Sequence, residues 1–77
     1  MIHELKIKKV YLDNLLSGIK KAEVRINDRD YQKGDTLQFV DHSNERPTYY
    51  NFKITHIHSG LGMEGHYVVL SVEFIDI

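Results

Sequence analysis

The chain contains no cysteine, which excludes a disulfide scaffold, a thiolate-held zinc and a thiol nucleophile. A long apolar run is also missing. The longest aliphatic stretch, Val68-Val69-Leu70, is far short of the ~20 residues needed to span a bilayer, so no membrane association is expected. The opening Met-Ile-His-Glu lacks the basic start and apolar core of a signal peptide, and a cytoplasmic location is expected. No excess of one charge stands out: the formal net charge is -1, which argues against a protein that coats nucleic acid without specificity. There is one proline, Pro47, and it falls in a polar loop.

What is present is an ordinary globular composition, with 42% hydrophobic and 27% charged residues, in place of that of a disordered tail. Residues 1–77 make one domain with one small core, at a length where folding buries a little over ~60% of the unfolded surface. Charge is distributed unevenly. Residues 1–33 carry eight Lys/Arg against five Asp/Glu, and residues 34–77 carry two against six. One basic lobe suits a small, local phosphate contact better than a stripe that tracks a backbone.

Alternation over Ile2–Lys8 sets Leu5 and Ile7 against Lys6 and Lys8, as in a first strand. Tyr11, Leu12, Leu15 and Leu16 form the stripe of a short amphipathic helix over residues 10–17, closed by Gly18 as a left-handed cap. Lys20 and Lys21 follow where the negative end of the helix dipole favours cations. A second strand covers residues 21–26. A third starts at Gly34-Asp35 and runs through Leu37 and Phe39. Tyr50, Phe52 and Ile54 alternate with polar residues in a fourth, and His66–Ile75 forms a fifth, central strand. Five strands and one helix predict an α+β domain whose sheet curls towards a barrel.

The stretch Gly18–Asp30 carries the strongest functional signal. Lys21, Glu23 and Arg25 lie on one side of an extended chain, and Ala22, Val24 and Ile26 on the other. This strand runs directly into Asn27-Asp28-Arg29-Asp30, where Asn and Asp read as turn residues that aim Arg29 inward. Together these residues suggest one lip of a charged pocket. A carboxylate such as Glu23 accepts from a base amino group. Arg25 and Arg29 offer planar forks for phosphate or for stacking, and Lys20 adds a movable point charge. Tyr31, with Tyr49 or Tyr50, would supply a stacking surface. The ligand-binding set is therefore Lys20, Lys21, Glu23, Arg25, Arg29 and Tyr31.

Three other features carry less. The segment Gly60–Gly65 matches G-x-G-x-x-G, but a strand and not a helix follows it, so no dinucleotide cofactor is expected. A flexible lid over the cleft is one reading of it. His56 and His58, even with His42 or His66, lack a recognisable ligand spacing, and no metal is expected. Ser71 has no nucleophile context and reads as a packing hydroxyl.

The chain resembles the ASCH domains of the PUA-like superfamily over His3 to about Val72. The likeness rests on the opening His-Glu-Leu-Lys-Ile strand and the helix ending at Ser17-Gly18. It also rests on the G-x-K-x-x-E-x-R motif of Gly18, Lys20, Glu23 and Arg25, on Asn27–Tyr31 followed by Gly34-Asp35, and on the closing strand Gly65–Ser71. More narrowly it is similar to short ASCH-related proteins of phages and prophages, often described as RNA-binding. The resemblance implies a PUA-like five-stranded pseudo-barrel with one short helix at its mouth, and a charged cleft between them that binds RNA or a nucleotide.

One ASCH branch hydrolyses N4-acetylcytidine with a Lys/Thr/Glu set. Aligned on Gly18, this chain keeps the lysine as Lys20 but has Glu23 at the threonine position. No hydroxyl is then available to be activated, which weighs against an enzyme. If the chain were a hydrolase of acylated nucleosides, Lys20 and Glu23 would carry the chemistry. A third reading is a phage accessory protein that meets a host protein through the Tyr49-Tyr50 edge.

Overall fold

The computed structural model describes residues 1–59 and 66–75. In chain order it has β1 (Ile2–Leu5), α1 (Lys9–Ser17), β2 (Ala22–Ile26), β3 (Thr36–Asp41), β4 (Thr48–His58) and β5 (Tyr67–Ile75). The five strands form one sheet in the order β1-β3-β4-β5-β2. β1 runs parallel to β3, and every other neighbouring pair is antiparallel. The result is a curled half-barrel with one short helix, an α+β arrangement in which β1 and β2 are the two edges.

Alternation drives the core. Leu37 and Phe39 of β3, Phe52 and Ile54 of β4, and Val68 and Leu70 of β5 all turn inward and are buried. Leu37 lies opposite Phe52, and Phe39 opposite Tyr50, so neighbouring strands send their apolar side chains to the same face. At roughly 1.5–3 kcal/mol per fully buried large apolar side chain, this layer and the helix residues packed on it hold the fold. β4 breaks register between Ile54 and His56. The extra residue, Thr55, donates its hydroxyl to the Ser71 carbonyl at 3.3 Å. Such a bulge bends the strand and increases twist, which helps the sheet curl. Beyond it His56 and His58 point outward and are exposed, while Ile57 packs against the core.

Three elements differ from the sequence reading. β1 stops at Leu5, so its buried pair is His3 and Leu5, and Ile7 packs against the core from beyond the strand. In α1 only Leu12 and Leu15 are buried, whereas Tyr11 and Leu16 are exposed. A nine-residue helix lying on a curved sheet covers it with one narrow stripe. The expected helix end does appear: Gly18 has φ 80° and ψ 2°, and its N–H bonds to the Leu15 carbonyl.

The third difference is Tyr31, which is 5% exposed and sits in the core, not at a ligand surface. Its ring meets His3 edge-on at 4.8 Å between centroids. His3 in turn shares a 2.8 Å hydrogen bond with Asp35 through Nε2, and the Gln32 N–H donates to the same carboxylate at 3.1 Å. A buried imidazole–carboxylate pair needs an apolar cover to keep water out, and Tyr31 provides it. The His3 bond is the main reason the Asp35 carboxyl is held down at about 2, against the opposing effect of burial.

Candidate functional site

The register of β2 on β5 decides how the charged strand faces. Glu23 lies opposite Leu70 and Arg25 opposite Val68. Both partners are buried core residues, and directly opposed side chains share a face. The charged side of β2 therefore turns inward, and the apolar side turns outward, with Val24 and Ile26 55% and 53% exposed.

Glu23 is 6% exposed, and a carboxylate that deep needs a partner. Lys20 supplies it, with Nζ donating to Oε1 at 2.7 Å. The same ammonium stands 5.0 Å from the Tyr11 ring centroid, a cation–π distance. The other carboxylate oxygen is 3.8 Å from Arg25 Nη1. That guanidinium also donates to the Lys6 carbonyl at 3.3 Å, tying the β2 edge to the chain just beyond β1.

Beside this tie lies a groove of about 570 Å³, with Arg25 and Arg29 contributing to its wall, Ile7 and Val40 giving apolar surface, and the buried Leu5 at its base. Glu4, Lys6 and His42 complete its lining. The turn that delivers Arg29 is held by backbone: the Asn27 N–H bonds the His66 carbonyl at 2.6 Å and the Asp28 N–H bonds the Ile26 carbonyl at 2.9 Å. Asp30 takes φ 48° and accepts from the Gln32 side chain, the left-handed turn behaviour common in Asn and Asp.

The six sequence-predicted residues do not converge on one hollow. Lys20, Glu23 and Arg25 form a connected chain of charges, and Arg25 and Arg29 share the groove between the strand edges. Lys20 and Lys21 border a separate concavity of about 350 Å³ beside the helix end, with Leu16 and Phe74. Arg25 and Arg29 thus line one concavity, and Lys20 and Lys21 another. Tyr31 lines neither. Tyr49 is exposed and Tyr50 is half-buried against the core, and both lie away from the groove. The segment 60–65 lies outside the described residues, and so does any lid there.

Sequence reasoning missed Glu4, Lys6 and His42. They reach the groove from the β1 end and the residue after β3, which become neighbours only through the parallel β1–β3 pairing. No local pattern signals that. Among the described residues, no group of three or more His, Asp or Glu is placed to hold a metal ion, and no helix is long and apolar enough to cross a membrane.

Residues 2–72 match the family model described as "Domain of unknown function (DUF3850)", and the chain belongs to that family. It is also similar to the "Uncharacterized 12.9 kDa protein in GpA 3'region" of Escherichia phage P2, with 53% identity over 36 residues. That match covers 47% of this chain and 33% of the phage protein, so the chain spans about a third of that relative's length.

Proposed function

We propose that the chain is a PUA-like, ASCH-type module that binds RNA or a nucleotide in the groove between the β1 and β2 edges. The observation that carries this reading is the pairing of Arg25 and Arg29 in one groove with the half-buried, apolar Ile7 and Val40. Two guanidiniums suit phosphate oxygens, and an apolar surface suits the face of a base or sugar. At about 570 Å³ the space falls within the ~300–1,000 Å³ range of small-ligand sites. The curled five-stranded sheet and its one short helix support the PUA-like reading. So does the G-x-K-x-x-E-x-R motif, whose lysine, glutamate and arginine interact directly.

The hydrolase alternative needs Glu23 to meet water and substrate. Its carboxylate is instead buried between Lys20 and Arg25, where it organises cations, so binding is the better-supported reading. Fluorescence anisotropy with a short 3′-labelled, 5′-phosphorylated single-stranded RNA tests it. Arg25→Ala and Arg29→Ala should each weaken binding about tenfold, the loss expected of one charge-assisted fork. Lys21→Ala should change it little. Equal binding by all four proteins would end the proposal, and capture of a host protein by an RNA-inactive chain would favour the accessory-protein reading.

A further inference from the structure

We infer that the groove selects a phosphate monoester, as carried by a free nucleoside monophosphate or by the phosphorylated end of a strand, over an internal phosphodiester. This rests on the nucleotide-binding reading above and specifies its ligand. The first support is charge matching. A monoester carries ~1.5–2 negative charges at neutral pH, against one for a diester, and two guanidiniums line the groove.

The second support is geometry. Arg25 is held at one nitrogen, Nη1, by the Lys6 carbonyl at 3.3 Å and the Glu23 carboxylate at 3.8 Å, which leaves Nη2 and Nε to face a ligand. Its fork is thereby oriented before a ligand arrives. Arg29 is exposed and, among the described residues, makes no hydrogen bond or ion pair, so its donors are available. Three terminal oxygens on a monoester can meet both forks at once. A diester offers two non-bridging oxygens, and its chain must leave the site in both directions.

The third support concerns what flanks the forks. Glu4 lines the same groove, and Glu23 lies behind Arg25. The exposed Glu4 carboxylate disfavours a second phosphate beside the arginine pair, whereas Glu23, already paired with Lys20 and Arg25, acts only on Arg25, so the groove does not present the unbroken run of cations that a continuous backbone follows. A single terminal phosphate meets no such opposition.

Isothermal titration of the purified chain tests this with five probes: a nucleoside, its 5′-monophosphate, inorganic phosphate, and one short RNA with either a 5′-hydroxyl or a 5′-phosphate. The monophosphate and the phosphorylated RNA should bind at least about tenfold tighter than their unphosphorylated counterparts and than inorganic phosphate. Arg29→Ala, with an unchanged melting temperature, and Arg25→Lys, which keeps the charge but removes the fork, should each collapse that ratio towards one. Equal affinity for the two RNAs would overturn the inference and leave nucleotide binding standing. Inorganic phosphate binding as tightly as the monophosphate, or no binding by any probe, would overturn both.

Discussion

Removing the Glu23 carboxylate tests whether the charged side of β2 is organised inside the protein. The side chain is 8% exposed, while those of Lys20 and Arg25 are 30% and 27% exposed. Breaking a fully buried ion pair costs about 3–5 kcal/mol, and an exposed pair contributes about 0–1. Here the carboxylate is sealed but both cations can turn to water once released. The cost of Glu23→Ala should therefore fall between those limits, at about 1–2 kcal/mol. In a domain of this size that lowers the melting temperature by roughly 4–16 °C. A urea-unfolding cycle with Lys20→Met, Glu23→Gln and the double variant isolates the 2.7 Å contact, with an expected coupling of about 1 kcal/mol. A coupling below about 0.3 kcal/mol, the usual additivity error, would show that the pair is a solvated surface contact.

Two further outcomes follow from the scaffold. Asp35 has a folded pKa of about 2 against an ordinary 3.8. Its stabilisation is complete above the higher value and is lost as pH falls through the lower one, on the order of 2 kcal/mol. Asp35→Asn should remove that acid-limb dependence in urea unfolding between pH 2 and about 5, and parallel acid limbs for the two proteins would refute the assignment. Gly18→Ala meets no heavy atom within 4 Å, but it holds a side chain at φ +80°. The expected loss is about 1 kcal/mol, read from thermal melts, and an unchanged melt would mean the helix end relaxes.

Much of the scaffold is legible from residue order alone. Period-two alternation in Leu37–Phe39 and Tyr50–Ile54 marks strands because one face of each is buried. Gly18 marks the helix end because only a residue tolerant of positive φ fits there. The orientation of β2 is not legible, since its local pattern is equally consistent with charges out. Only the pairing of Glu23 with Leu70 and of Arg25 with Val68 turns them inward. Tyr31 sits in a polar connection and reads as available, yet the long-range His3–Asp35 pair draws it into the core. Lys20 and Lys21 are adjacent in sequence, but Lys20 is bonded to Glu23 and Lys21 is exposed at the rim of a different concavity. The groove unites segments from the β1 end, the β2 turn and the end of β3, and such a union is a property of topology.

The most direct test of the central claim is chemical-shift mapping of the ¹⁵N-labelled protein titrated with a nucleoside monophosphate. The largest changes are predicted at Leu5, Ile7, Arg25, Arg29, Val40 and His42, which line the groove between the strand edges. Changes confined to Leu16, Lys21 and Phe74, beside the helix end, or no changes at saturating ligand, would contradict it.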